Sequence, residues 1–334
     1  MPGFISVIIP NHNGGGTIGD CLEAVFASDH GDFEVIVVDD CSVDDSIDVI
    51  KRFPCKLVRL DRHSGAAKAR NAGAWQSRGD ILFFTDADCL LQHDTLTVVS
   101  ESISLEDSNV VVGGTYTLVP HDNRFFSRFQ SVFINYSETK QAANPDYLAT
   151  HALAIHARTF RDNHGFAEDF LPILEDVEFS HRLRRAGYRL VLSPAIQVRH
   201  IFNYSLYRSL RNAIRKARYW TLYSLQHRDL FRDSGTASTE LKLNVVAYLA
   251  CALLVFGYFA SGNSVPLVLA TMALAINAWV SRGLLKAFYR AAGLGFASAA
   301  ALYYVLLYPL AVGMGAATGA VKYLGTRYWR RKAE

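Results

Sequence analysis

Short apolar runs alternate with longer amphipathic stretches through the first 120 residues. SVIIP (6–10), FEVIVVDD (33–40), KLVRL (56–60) and ILFFTD (81–86) are rich in β-branched and aromatic residues and predict strands. The stretches 17–28, 43–52, 65–77 and 93–105 between them predict helices. Regular strand–helix alternation predicts an α/β fold built on a doubly wound, mostly parallel sheet. Ligands of such sheets sit beyond the carboxyl ends of the strands. The polar residues at those ends therefore matter most: Asn11 and His12, Asp39 and Asp40, Asp86 and Asp88.

The pattern changes completely after residue 240. No charged residue occurs from Leu243 to Ser281, and SGNS (261–264) divides that run into 243–260 and 265–281. A membrane span needs ~20 apolar residues, with a lower limit of about 17, so the two runs predict a helical hairpin across a bilayer. A third charge-free run covers Ala291 to Val321, with Pro309 and several glycines inside it. Three buried helices of a soluble core are the alternative, but a soluble helix normally shows a polar stripe, and these runs show almost none. Lysines and arginines favour the cytosolic side, which puts Arg282, Lys286 and Arg290 there. Either the third run turns back in its Pro/Gly-rich half, or Lys322, Arg327, Arg330, Arg331 and Lys332 lie outside against that rule.

Charge follows the same division. The chain of 334 residues is +3 overall. Residues 241–334 carry nine Lys or Arg against Glu334 alone, a net +8 that leaves residues 1–240 at −5. From Phe179 to Arg228 there are eleven Arg or Lys and no carboxylate. The segment 205–228 reads as a basic helix with an aromatic side, suited to an interface of anionic lipid. No recognition motif accompanies this charge that would point to nucleic acid. Five unpaired-looking cysteines (Cys21, Cys41, Cys55, Cys89, Cys251) fit a reducing compartment, and no metal-finger spacing appears. The first residues enter a strand without the basic start and long apolar stretch of a secretory signal. The expected organisation is an α/β domain at 1–203 facing the cytosol, a basic interfacial segment at 204–240 and a membrane domain at 241–334.

Asp86-Ala87-Asp88 carries the sharpest chemistry. Two carboxylates at the mouth of a buried strand repel each other unless a cation lies between them. Hard divalent ions such as Mg²⁺ or Mn²⁺ take oxygen ligands and keep substrate phosphates in their shell. The bland alternative is a helix N-cap formed by Asp88 or Asp94. Glu175-Asp176 opens a helical stretch, EDVEFSHRLRRAGYR, closed by Gly187. These acids are either ordinary partners of the helix dipole or a general base beside a reacting hydroxyl.

Taken together, SVIIPNHNGGGTIGDCLEAV (6–25), VIVVDDCSVDDS (35–46), GAAKARNAG (65–73), ILFFTDADC (81–89), EDVEFSHRLRRAGYR (175–189) and VRH (198–200) resemble the family 2 glycosyltransferases. These are inverting nucleotide-sugar enzymes of the GT-A fold, and the six matches occur in the family's order over about two-thirds of the chain. The tail, with YPLAVGMGAATG (308–319), resembles membrane-bound exopolysaccharide glycosyltransferases of the succinoglycan type. The resemblance implies that Pro10, His12 and Asp40 line the nucleotide-base pocket, with Asp39 supporting its loop. It implies that Arg70 approaches the nucleotide, although a packed arginine on a sheet-covering helix is the plainer reading. Asp86 and Asp88 would form the metal pair, His200 a further ligand or a structural histidine, and Asp176 the catalytic base with Glu175 as substitute.

The implied partners are a UDP- or GDP-sugar donor, a lipid-linked acceptor and membrane lipids. A polyprenyl phosphate is already anionic and needs no base, whereas a sugar hydroxyl does, so a base at Asp176 favours a lipid-linked saccharide. Polyprenyl-phosphate glycosylation and processive polysaccharide synthesis are the alternatives within the enzyme class. For processive synthesis the Gln-x-x-Arg-Trp motif is missing, RKARYW (215–220) being the nearest run. A membrane scaffold that keeps the fold without turnover is the alternative outside it.

Overall fold

The computed structural model describes residues 3–103, 107–169 and 171–333. The chain divides into two compact units, residues 1–123 with 138–203, and residues 124–137 with 204–334.

The first unit opens with the expected alternation: β1 (Ile5–Asn11), α1 (Ile18–Phe26), β2 (Phe33–Asp39), α2 (Ser46–Ile50), β3 (Lys56–Arg59), α3 (Ala66–Trp75) and β4 (Ile81–Phe84). Ile5, Val7, Ile8 and Ile9 of β1 are fully buried, as are all four residues of β4, because helices cover these strands. Close cover requires a small residue on α3. A Cβ at Gly73 would lie 2.6 Å from Ile8 Cγ2. After β4 come β5 (Cys89–Leu91), α4 (Thr95–Ser102) and β6 (Val110–Tyr116). The last three residues of the expected 93–105 helix include 104 and 105, which lie outside the described residues. Asp88 precedes a strand, not a helix, and Asp94 caps α4 without a side-chain hydrogen bond, which removes the N-cap alternative.

The described residues form one eight-stranded sheet of order β3-β2-β1-β4-β7-β6-β8-β5, where β7 is Leu153–His156 and β8 is Arg189–His200. Its first four strands are parallel. Beyond β4 the sheet is mixed, since β7 runs antiparallel to β4 and β6, β8 parallel to β6, and β5 antiparallel to β8. This is the α/β architecture of the GT-A fold. Phe84, Phe160, Phe166 and Phe179 pack below the sheet with ring centroids 4.9–5.4 Å apart, within the range of favourable aromatic pairs.

β6 and β8 change register between Gly113 and Thr115. There a Cβ on Gly114 would meet the Ile196 side chain and its carbonyl oxygen, both at 2.4 Å. A carbonyl in a ladder cannot step aside. Gly114→Ala should destabilise the chain by about 1–3 kcal/mol, and calorimetry of the full chain in detergent would detect it; an unchanged melting temperature would mean β8 is not held here.

The second unit is helical. It contains most of α5 (Phe125–Thr139), then α8 (Leu206–His227), α9 (Thr239–Ser261), α10 (Val265–Val280), α11 (Arg282–Leu306) and α12 (Tyr308–Ala333), with α6 (Ala157–Asp162) and α7 (Glu175–Arg185) left in the first unit. Ser205 and Ser238 cap α8 and α9 by accepting from Arg208 N and Leu241 N. Gly262, at φ 66°, ends α9 in the left-handed conformation that favours glycine.

Two helical stretches are long and apolar enough to cross a membrane, Thr239–Ser261 with mean hydropathy 2.0 and Arg282–Gly325 with 1.6. α10 has 16 residues, ~24 Å at 1.5 Å each, short of a ~30 Å hydrocarbon core. The third apolar run is not one straight helix. It carries a kink at Ala292 and Gly293 and breaks at Leu307, and Pro309 starts the next helix, where a missing N–H costs nothing. α12 then packs closely on α8: a Cβ on Gly315 or Gly319 would lie 2.4 Å from the carbonyls of Ile214 or Arg218. Inside the bundle Asn277 donates to Asn244 Oδ1 at 2.8 Å, and Asn244 donates to the Tyr304 carbonyl at 2.7 Å, a buried polar tie of the kind that joins apolar helices.

Candidate active site

The carboxyl ends of β1, β2 and β4 open onto a cavity of about 490 Å³. Pro10, His12, Asp40, Arg70, Asp86, Asp88 and His200 all line it, together with His63. Asp39, Glu175 and Asp176 do not.

The two acids that end β2 have different jobs. Asp39 accepts from Asn11 Nδ2 at 3.0 Å and from the Ser42 N–H at 3.1 Å, so it ties the end of β1 to the loop that follows β2. Asp40 is buried, and its two carboxylate oxygens accept the N–H groups of Ser64 and Gly65, both at 2.7 Å. Its carboxylate therefore shapes the start of α3 as well as facing the cavity. Cys41 directly after it is left-handed, at φ 59°, which swings the chain away from the pocket. His12 donates from Nδ1 to the Asp40 carbonyl at 2.7 Å. His63 was not singled out by any motif. It lies against His12 with ring centroids 4.1 Å apart and planes tilted by 31°, and sets Nδ1 2.9 Å from Asp40 Oδ2.

Asp86 and Asp88 occupy the turn between β4 and β5, closed by the Cys89 N–H donating to the Asp86 carbonyl at 3.0 Å. They have separate partners. Arg70, buried on α3, donates to Asp86 Oδ1 and to Glu175 Oε1, both at 2.6 Å. Burial raises the Asp86 pKa, but the facing guanidinium outweighs it and holds the carboxyl below its usual range. Asp88 belongs to His200 instead. The antiparallel pairing of β5 with β8 puts Cys89 opposite His200, which leaves His200 Nε2 3.5 Å from Asp88 Oδ1. Burial, reinforced by the like charge of Asp86 and opposed by His200, raises the Asp88 pKa. An added cation would reverse that penalty.

Ligand atoms of Asp88, His200 and Cys89 lie within 4.8 Å of one another. Burial, with the nearby aspartates, keeps the Cys89 thiol protonated, so the effective donors are one carboxylate oxygen and one imidazole nitrogen. Two such donors fit a divalent ion that fills its remaining positions with water and phosphate oxygens. The imidazole suits Mn²⁺ better than Mg²⁺.

α7 begins at Glu175, preceded by Leu174 in a left-handed conformation at φ 80°, a strain of the kind that collects at functional sites. It ends in a Schellman motif, with Gly187 and Tyr188 donating to the carbonyls of Arg184 and Leu183. Asp176 accepts from the Val177 N–H at 2.8 Å and the Thr150 N–H at 3.4 Å. Burial first, then the negative charge of Glu175, pushes its pKa up to about 6.

Removing the arginine should expose these charges. Arg70→Met leaves Asp86 and Glu175 without their shared cation, a change that costs about 3–5 kcal/mol when a buried pair is broken. In the native chain the Asp86 pKa is depressed, so its stabilisation is present above the ordinary aspartate range and lost as pH falls through the depressed value. In the variant burial acts on Asp86 without the opposing cation and raises its pKa, so the stability gap between native and variant, followed by thermal melts, should narrow as pH falls from neutrality towards the native chain's depressed value. A gap that is flat with pH contradicts the bridge.

Residues 6–163 match the sequence profile described as glycosyl transferase family 2. Glycosyltransferase AglE of Haloferax volcanii is 29% identical over 57% of this chain and 64% of its own. Succinoglycan biosynthesis protein ExoO of Rhizobium meliloti is 27% identical over 58% and 55%. The chain spans between 31% and 64% of the length of three curated relatives it matches. Among solved structures, mannosyltransferase PcManGT from Pyrobaculum calidifontis, in complex with GDP-Man and Mn²⁺, superposes with a TM-score of 0.57 at 21% identity, covering 97% of this chain and 88% of that one.

Proposed function

We propose that this chain, which belongs to glycosyl transferase family 2 through residues 6–163, is an inverting glycosyltransferase that moves a sugar from a nucleoside-diphosphate donor to a lipid-linked saccharide at the cytosolic face of a membrane. In this reading residues 1–203 carry the chemistry, 204–240 lie at the interface and 241–334 anchor the protein as a multi-pass membrane domain. The product belongs to a cell-surface polysaccharide or glycan.

The observation that carries the reading is the Arg70 bridge, which ties the Asp-Ala-Asp turn to the first residue of α7. One buried guanidinium thus brings the leaving-group side and the proton-accepting side of a transfer reaction to one place. The nucleotide base lies against Pro10, His12 and Asp40. Asp88 and His200 would hold the divalent cation, Mn²⁺ or Mg²⁺, which supplies neutralisation of the departing diphosphate. Asp86 is kept ionised by Arg70 and adds to the negative field that favours a cation there.

Asp176 accepts the proton of the acceptor hydroxyl. As that oxygen bonds to the anomeric carbon, the bond from this carbon to the diphosphate oxygen breaks on the opposite face and the diphosphate leaves with its electron pair. Configuration at the carbon inverts. A carboxyl with a pKa near 6 is matched to this work at neutral pH, since it is ionised yet basic enough to take a proton. Basic residues between 182 and 228, with the apolar helices that follow, favour an acceptor held at a lipid surface.

The test is a panel of UDP- and GDP-sugars with the full chain in native membranes, read as nucleotide release with and without EDTA, followed by mass analysis of the lipid fraction. One donor should release its nucleotide and add its sugar mass to a lipid, and EDTA should stop both. Release that ignores EDTA contradicts the cation assignment. No release with any donor favours the scaffold reading.

A further inference from the structure

The helical unit contains a second cavity, about 260 Å³ in volume, bounded by α5, α8, α9, α12 and the loop 230–237. Its walls are mainly apolar, including Phe133, Trp220, Leu241 and Val312. Two lysines, Lys216 of α8 and Lys242 of α9, lie on the lining, and no carboxylate does among the described residues. Both are half-buried, and Lys242 donates from Nζ to the Arg232 carbonyl of the bordering loop, which sets its ammonium at the polar edge of the hollow. Phe231, on the loop that borders the cavity, is 88% exposed. Lys242 stands four residues inside the Ser238 cap of the first long apolar helix, which puts this opening at a boundary between polar and apolar surroundings.

An apolar hollow with ammonium groups and no acid on its walls is complementary to an amphiphile with an anionic head. The size narrows the choice. A hollow of roughly 150 Å³ accommodates benzene, whereas drug-sized ligands occupy about 300–1,000 Å³. At 260 Å³ the space suits part of one hydrocarbon chain, not the two chains of a glycerophospholipid. We infer that this cavity binds the first units of a single-chain polyprenyl phosphate or diphosphate, with its phosphate at Lys216 and Lys242. The inference rests on the lipid-linked-acceptor reading and gives that acceptor's carrier a site.

The test uses the full chain in nanodiscs with a polyprenyl phosphate as the probe, and native mass spectrometry as the readout. Phosphatidylglycerol and inorganic phosphate are the comparison arms. The native chain should retain one polyprenyl phosphate, and neither comparison compound should displace it. The double variant Lys216→Glu/Lys242→Glu should lower retention at least tenfold, and so should Ala316→Phe, which fills the hollow from α12. Lys216→Arg should retain the probe, and melting temperatures identify any variant that fails to fold. Unchanged retention in the folded charge-reversal variant overturns the inference. So does equal competition by phosphatidylglycerol, which would make the site one for bulk lipid, or by inorganic phosphate, which would make the chain irrelevant. Sugar transfer to a lipid-linked acceptor with unaltered retention in the variants removes this site and leaves the enzyme reading intact. Retention by the native chain with no transfer to any lipid does the reverse.

Discussion

Asp176→Asn is expected to lower turnover by about 10²–10⁴-fold, the usual worth of a positioned general base, with little change in the apparent affinity for the donor. Asparagine keeps the shape of the side chain and accepts from the same Val177 N–H, so folding should be preserved and the loss should fall on kcat. The pH profile supplies the signature. Burial and Glu175 raise the native pKa to about 6, and only the ionised carboxylate can accept a proton. Native turnover should therefore rise with pH through about 6 and level above it, while the variant's residual rate lacks that limb. Glu175→Gln should move the limb downward, because the neighbouring negative charge that helps to raise Asp176 is gone. If Asp176→Asn turns over normally, the acceptor oxygen arrives already ionised, and a polyprenyl phosphate replaces the sugar hydroxyl as acceptor.

The second large effect is expected at Asp88. Neutralising a diphosphate leaving group is worth several kcal/mol, and each 1.4 kcal/mol is about tenfold in rate. Asp88→Ala should thus reduce metal-dependent turnover on the order of 10³-fold, and adding Mn²⁺ should not restore it. His200→Gln should leave more activity but raise the Mn²⁺ concentration needed for half-maximal rate. Asp86→Asn tests the division of labour between the two aspartates. Its partner is Arg70, so it should cost stability as well as rate, in contrast to Asp88→Ala. Equal behaviour of Asp86 and Asp88 in both assays would contradict the separate roles.

The residues that carry these predictions were legible in the sequence to very different degrees. β1, β2 and β4 announce themselves as short buried apolar runs, and the parallel topology follows from their alternation with helices. The acids at their ends could be placed at one edge of a sheet before any geometry was known. α7 could be bounded because Gly187 is needed at its left-handed end. The partners of these acids could not be read in the same way. Arg70 meets Glu175 across 105 residues, and nothing local in KARNAG indicates which carboxylates will face it.

The Asp88–His200 pair depends on β5, only three residues long, too short to leave a period in the sequence. β6, β7 and α5 fall in residues 110–156, outside the six matched segments, and the place of β6 and β7 in the sheet is set by long-range pairing. The final apolar run looked continuous by charge and hydropathy, and only Pro309 and the glycines marked a half in which it could turn. Its break at Leu307 and its kink at Ala292 and Gly293 come from a proline start and glycine dihedrals, which hydropathy does not record. The match of Gly315 and Gly319 to the backbone of α8 likewise depends on which helix becomes the neighbour.

The most direct test of the central claim is a structure of the full chain with a nucleoside diphosphate and Mn²⁺, the ion located by its anomalous scattering. The account predicts one strong peak within bonding distance, ~2.0–2.4 Å, of both an Asp88 oxygen and His200 Nε2, shared with diphosphate oxygens. A nucleotide seated in the pocket with the manganese elsewhere, at His12 and His63 for example, would contradict it.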